Sequence, residues 1–593
     1  MGFIAVQSFF IVFVVILKPD YPMRLTPEQQ QAVLTEGNQK IEAVAGSGKT
    51  STLLAYAKAR PKQSILYLAF NRAVREDAEK KMLKMGLNHV TVQTAHALAY
   101  RAVASQGKFG KLDVMPSVKV SELVETLGLT RQIKDYPTAC KLAHHVNQCL
   151  SFFCNSALLR FQETDYLSEM THPEAIEFVS KYHEAILHYT KRWMEKMYAG
   201  QVPMTHDFYL KLFHYLNPKL PYDVILFDEG QDASPVMLDI FLKQDAVKVI
   251  VGDRHQQIYG WRYAVNALEQ IQFPTNTLTQ SFRFDDGIAA CAMKVLQLKQ
   301  LLGDNQPIRI QGLEQKTAAK TKACIARSNI KLLEKAINRL DDKKTIYYFE
   351  GGLNGYTFAS QNASIYDVLN LYLDKKRLIR SELIRSFQAF ENLEQYAKET
   401  LDAELDMVCQ LVRKYKTELI DLLNELKNRQ TESKDKATDV FSTVHKAKGM
   451  EYDIITLTDD FITESKIRST IENAQEQEQR YQRLRKMESE KTSGLDAKAV
   501  PMPANWRETL KEEINILYVA VTRTKSSLLV PEELFQYFTG KKSESQPQEN
   551  KKPAEKAKRN QSLKERWNQQ ADTIDPNTDE LPRTARFSDF FNQ

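Results

Sequence analysis

Paired cysteines are absent from this chain. Its six cysteines, Cys140, Cys149, Cys154, Cys291, Cys324 and Cys409, follow neither a metal-ligand spacing nor a disulfide framework. That excludes a stapled secreted scaffold. A reducing compartment is the expected setting, the cytoplasm of a bacterial-type cell or the nucleus of a eukaryotic one. A surplus of one charge is absent too: 81 basic against 75 acidic residues give a formal net charge of +6, which permits a basic channel without arguing for one. Nor is there an apolar run long enough to read as a spanning helix. Residues 3–6 and 9–17 are apolar, but the run is short for a membrane helix and lacks the basic start and small-residue cleavage site of a signal peptide. Translation is therefore expected to begin at Met23, with residues 1–22 a mis-called extension and no membrane partner; a membrane anchor is the other reading.

What is present is a phosphate cradle. Ala45, Gly46, Ser47, Gly48, Lys49, Thr50 and Ser51 follow a short strand pattern at 40–44 and lead into a breaker-free helix pattern at 51–57. The backbone N–H groups of such a turn face phosphates, and the helix N-terminus adds partial positive charge. Lys49 is expected to reach the β- and γ-phosphates of ATP, and the Thr50 hydroxyl to ligate Mg²⁺. Ala43 stands where the general pattern has its first glycine. A glycine-rich turn alone also serves as a plain connector, so a second element matters. Residues 224–227 are a continuous apolar run, as in a parallel strand buried on both faces, and they end directly in Asp228 and Glu229. Asp228 suits the metal. Glu229 suits orienting and deprotonating the attacking water, a general-base role worth about 10²- to 10⁴-fold. Both pieces fall at carboxyl ends of strands, where open α/β sheets place their ligands.

A chain of 593 residues is too long for one core. Strands ending in loops and alternating with helices indicate an α/β architecture of doubly wound parallel sheets. Residues 100–200 instead carry apolar spacing of helical type, at Ala175, Ile176, Phe178, Val179, Tyr182, Ile186 and Leu187.

Over residues 24–530 the motifs run in an order that resembles a superfamily 1 helicase of the UvrD/Rep type and, more closely, the helicase part of the F-box DNA helicase family. The resemblance implies two RecA-like motor domains, 1A (24–99 and 201–280) and 2A (281–351 and 437–535), with helical inserts 1B (100–200) and 2B (352–436). It also implies roles. Gln29 would hydrogen-bond adenine. Phe70 and Asn71, then Thr94 and His96, would meet single-stranded DNA. Within 251–262, Gln256 would sense the γ-phosphate while Tyr259, Trp261 and Arg262 face the bases. Base stacking contributes about 1–3 kcal/mol and tolerates any sequence. Phe282 would stack on adenine and Arg283 contact phosphate; Ser281 and Phe282 stand where relatives often carry Asn and Tyr, which keeps stacking and loses a hydroxyl contact. Within 441–452, Thr443 and His445 would touch DNA, and Gly449 and Glu451 the nucleotide. Arg523 would be an arginine finger. Arg283 and Arg523 come from the far side of the cleft, so ATP would favour closure and hydrolysis release, ratcheting two DNA grips along one strand. The family implies 3′ to 5′ travel by a monomer on single-stranded DNA and junctions, in repair or recombination control.

Three further segments, 203–212, 348–353 and 396–405, resemble the F-box branch, whose members often strip recombinase filaments or act at stalled forks. Nothing ahead of the motor reads as an F-box, so a ubiquitin-ligase adaptor role is not expected. From 541 to 582 the chain is rich in Lys, Glu, Gln, Ser and Asn, a composition that cannot bury enough surface to fold. Beyond it, Thr584 precedes Phe587, Phe590 and Phe591 in a pattern that resembles a sliding-clamp-binding peptide whose usual leading residue is Gln; docking on its own motor is the other reading. Two other functions stay open, a translocase without strand separation and a DNA-binding protein with a decayed motor. The intact Lys49, Glu229 and Arg523 argue against decay, and Gln231 and Asp232 favour a DNA over an RNA helicase.

Overall fold

The computed structural model describes residues 25–106, 112–170, 173–307, 309–313, 321–357, 364–490 and 506–541. The first half contains β1 (Gln39–Ala43), β2 (Ile65–Ala69) and β3 (Val90–Thr94). The short strands β4 (Val114–Met115) and β5 (Met204–Thr205) bracket a helical stretch, and β6 (Val224–Phe227), β7 (Val247–Gly252) and β8 (Thr275–Leu278) follow. All but β4 and β5 join one sheet in the order β3-β2-β6-β7-β1-β8, with every pairing parallel. Ile65, Leu66, Tyr67, Val224, Ile225 and Leu226 are wholly buried, and separate apolar clusters pack the two faces, as a helix-covered parallel sheet requires. The second half repeats the plan with β9 (Lys322–Ala326), β10 (Tyr347–Phe349), β11 (Asp439–Thr443), β12 (Tyr452–Leu457) and β13 (Thr524–Leu529), in the order β10-β11-β9-β12-β13. The fold is α/β, with two doubly wound parallel sheets. Because β7 lies between β6 and β1, the loops leaving those three strands open side by side.

Helices fill the rest. Between β4 and β5 the helix Tyr136–Asn155 begins at an Asp135 cap with a proline in its first turn. The helix Pro173–Tyr198 that packs on it kinks at Tyr182 (φ −110°, ψ 16°). Between β10 and β11 run Ile365–Tyr372, Phe390–Glu399, Ala403–Tyr415 and Glu418–Asn428. Leu142, Val146 and Trp193 from the first group share one apolar cluster with Tyr396, Val408 and Leu411 from the second. A polar seam accompanies it: His145 Nε2 donates to the Glu399 carbonyl at 3.0 Å, Gln148 Nε2 to the Thr400 carbonyl at 3.3 Å, and Lys141 pairs with Glu399.

Three features depart from the sequence reading. The helix Ala95–Ala104 begins before residue 100, because Thr94, the last residue of β3, caps it through the Ala97 N–H at 3.1 Å. The β4–β5 pair was not foreseen, since two-residue strands carry no periodic signal. And a 27-residue helix, Glu464–Glu490, interrupts the second motor half. Residues 1–22, the tail beyond Lys541 and its Phe587, Phe590 and Phe591 lie outside the described residues. No described helix is long and apolar enough to cross a membrane.

Candidate nucleotide and DNA site

The loop after β1 has the backbone its residues imply. Gly46 (φ 75°) and Gly48 (φ 79°) are left-handed, and a Cβ on Gly46 would stand 2.7 Å from the Arg283 Cβ. Gly48 caps the helix Lys49–Lys58 with no side chain, which leaves the first-turn N–H groups without a capping oxygen. Ala43 ends an extended strand and is buried, so its methyl is accommodated where the general pattern has glycine. The Ser47 hydroxyl is buried with no partner, a donor that a phosphate oxygen would satisfy.

Charge gathers around Lys49. Its Nζ lies 3.0 Å from Glu229 Oε2; burial opposes the ammonium, but Glu229, Asp253 and Asp228 prevail and raise its pKa. Glu229 is itself left-handed (φ 55°). Burial works against its charge, yet Lys49 and Lys448 outweigh that and hold it below the usual carboxylate range. Asp228, by contrast, is pushed up by burial and by Glu229 beside it. The Tyr67 hydroxyl donates to Asp228 Oδ2 at 2.5 Å and also bonds Thr50. The Thr50 hydroxyl and the Asp228 carboxylate thus converge as hard oxygen donors of the kind Mg²⁺ takes. Asp228, Glu229 and Asp253 bring three carboxylates to one lysine, a surplus that a divalent cation would neutralise. Thr50 and Asp228 fit the ion and would hold it, and when bound it would neutralise charge on the phosphates.

The opposite wall supplies the arginines. Arg283 pairs with Glu451 at 2.9 Å and donates to the Thr522 carbonyl at 3.0 Å. Arg523 is buried, and its guanidinium bonds the Val519 carbonyl (3.1 Å), the Thr522 hydroxyl (3.3 Å) and the Gln256 amide oxygen (3.5 Å). None of these acceptors carries charge. Burial and the neighbouring Arg283 lower its pKa to about 9. The Phe282 ring lies beside Gly48, 3.7 Å from where a Cβ would be. Gln29 is turned inward: its Oε1 accepts from the Thr26 N–H at 2.9 Å, capping its own helix, and its Nε2 donates to the Ser47 carbonyl at 3.1 Å, bracing the loop. The cleft between the walls, lined also by Ser51 and Gly449, holds about 410 Å³, within the range of small-molecule sites. Ala45 and Ile258 of the first half pack into the apolar core of the second, so the halves touch around it.

A second, larger groove of about 920 Å³ adjoins the first half; Phe70, Asn71, Thr94, His96, Tyr259, Trp261 and Arg262 line it. Phe70 stacks on Tyr259 (5.9 Å between centroids), Trp261 meets Tyr259 edge-on at 6.4 Å, and Arg262 lies over Trp261. Trp261 is 65% exposed. Thr443 and His445 do not line this groove. Thr443 is buried at the end of β11, and His445 donates through Nε2 to the Ile258 carbonyl at 3.1 Å while its own carbonyl accepts from the Tyr259 hydroxyl at 3.3 Å, so it backs Tyr259 instead. Phe70, Asn71, Asp232 and Tyr259 line both clefts.

Several residues at the two clefts were not singled out from sequence. Lys448 pairs with Asp232 and donates to the Gln256 carbonyl at 2.7 Å, joining the halves. Gln231, read from the sequence only as a mark of a DNA helicase, donates through Nε2 to Glu229 at 2.6 Å. In the groove, Asp207 faces His96 at 3.7 Å and His206 bonds the Tyr209 hydroxyl at 2.8 Å. The signal for these last was the 203–212 segment, noted only as a branch marker.

Two parallel-sheet halves flank the cleft that Lys49, Glu229, Arg283 and Arg523 line, and a ring-lined groove shares its wall. Residues 25–272 match the UvrD/REP helicase N-terminal domain, and the chain carries a UvrD-type helicase region. It is 30% identical over 543 residues to F-box DNA helicase 1 of Gallus gallus, covering 86% of this chain and 49% of that protein. It is 29% identical over 555 residues to F-box DNA helicase protein 1 of Schizosaccharomyces pombe, covering 85% and 57%. A probable DNA helicase II homolog of Rickettsia conorii is 29% identical over 273 residues, 41% of this chain and 39% of that one. The chain spans about half the length of the two F-box helicases it matches.

Proposed function

We propose that this chain is an ATP-dependent DNA helicase that moves along single-stranded DNA, 3′ to 5′. The observation that carries the reading is the shared wall: Phe70, Asn71, Asp232 and Tyr259 belong at once to the nucleotide cleft and to the ring-lined groove. Glu229, held ionised by Lys49 and Lys448, orients the attacking water and takes its proton. Lys49, Arg283 and Arg523 place positive charge where the transferring phosphoryl group gains negative charge. Arg283 and Arg523 do so only while the halves are together, so the nucleotide favours the closed cleft through contacts that hydrolysis removes. The rings of Phe70, Tyr259 and Trp261 offer faces to bases of any identity.

The likeness to F-box DNA helicases supports work in repair or recombination control, with recombinase filaments among the substrates, and a monomer acting at single strands and junctions. Phe587, Phe590 and Phe591 would add a tether to a sliding clamp. ATP hydrolysis measured with and without single-stranded DNA tests the motor: DNA raises the rate of the wild type, and Lys49→Ala and Glu229→Gln each abolish turnover. Strand displacement from duplexes with 3′ or 5′ tails then separates direction, and separates unwinding from translocation alone. A chain that consumes no ATP with any polynucleotide refutes the proposal.

A further inference from the structure

Tyr518, on the helix Trp506–Val521 of the second half, is wholly buried, and its hydroxyl crosses into the first half. It donates to Asp253 Oδ2 at 3.0 Å and accepts from the Ala45 N–H at 3.3 Å. Ala45 belongs to the phosphate loop; Asp253 directly follows β7. Asp253 also accepts from the His255 N–H at 3.0 Å and from Gln256 Nε2 at 2.8 Å. Its own N–H donates to Gln231 Oε1 at 3.1 Å, and Gln231 holds Glu229. Gln256 is therefore gripped between Asp253 and Arg523, and Tyr518 fixes Asp253 to the helix that ends just before Arg523. From Gln256 the chain runs on to Tyr259 and Trp261 in the groove. A phenylalanine would fill the same volume in this apolar surround, so the packing alone does not account for a hydroxyl with two partners in the other half.

We propose that Tyr518 is a positioning residue that ties the water-orienting set and the DNA-facing loop of the first half to the arginine-bearing helix of the second, so that DNA in the groove raises turnover at Glu229. This rests on the ATP-driven reading above and names the group that couples its two clefts. The Tyr518→Phe variant keeps the ring and removes the hydroxyl. With the full chain, kcat and KM for ATP are measured at saturating oligo(dT) and without DNA. The ratio of DNA-saturated to DNA-free kcat is expected to fall about tenfold, with KM for ATP changing less than twofold. Asp253→Asn attacks the same bond from the other side, since an amide offers one acceptor oxygen to three donors; it lowers the ratio in the same direction, and still reads the coupling should Tyr518→Phe fail to fold. The double variant loses no more than the worse single one, because both break one linkage. A ratio left at the wild-type value in either variant, a rise in KM with kcat kept, or multiplying losses in the double variant overturns the proposal. A wild-type chain without ATPase activity ends both readings; an active wild type with an unaltered Tyr518→Phe ratio ends only this one.

Discussion

Arg523 illustrates what single side chains say here. A guanidinium that is 1% exposed and hydrogen-bonds only neutral acceptors is compensated only from a distance, by Glu451 and Glu229, and an arriving anion would satisfy it directly. Arg523→Ala is expected to lower kcat for ATP by about 10³-fold or more with KM within a few-fold, read by steady-state hydrolysis with saturating DNA. Arg523→Lys does not restore the rate, because an ammonium lacks the planar fork; full rescue by lysine would contradict the role. Lys49, Thr50, Asp228 and Glu229 were legible in the sequence because backbone chemistry fixes their spacing. Asp253, Tyr518 and Lys448 sat inside recognised stretches but were not, since which side chains converge depends on how two distant halves pack. Gln29 adds contacts that the sequence did not show: its amide bonds Thr26 and Ser47, which leaves one N–H and one lone pair for a base edge.

Among the elements, the seam between the two helical groups responds to acid. His145 has both ring nitrogens engaged, by the Tyr166 hydroxyl and the Glu399 carbonyl. Burial, with His144 beside it, lowers its pKa to about 3. The native seam therefore holds a neutral imidazole while the unfolded chain binds a proton below about pH 6.5. Stability from this residue is intact above that value and declines as pH falls toward 3, by about 2 kcal/mol between pH 7 and 5. Calorimetry should find that the Tm of the wild type drops more over that interval than the Tm of His145→Gln; parallel decreases would show the imidazole to be irrelevant. The helical character of the first group was readable from apolar spacing, and that of the second was expected from the family resemblance. The helix Glu464–Glu490 was not readable, because past Ile467, Ile471 and Ala474 its sequence is largely charged or polar, which leaves periodicity little to detect.

For the whole molecule, the alternation of apolar strands and helices was enough to expect doubly wound parallel sheets, the family resemblance supplied their number, and the strand order came only from the structure. The position of the groove was not readable. It arises where the loops after β2, β3 and β7 meet the helix after β5, and charge gave no hint of it, since +6 is spread over 593 residues. The rings of Phe70 and Tyr259 line the nucleotide cleft and the groove alike, so under the proposed function the motor is placed to feel whether the strand beneath it carries aromatic cargo. A tract of abasic sites offers the same phosphates with nothing to lie against Tyr259 or Trp261. Turnover on such a tract should fall well below that on an equally long oligo(dT), although the electrostatic pull is unchanged; equal rates would mean that the engine reads the backbone alone.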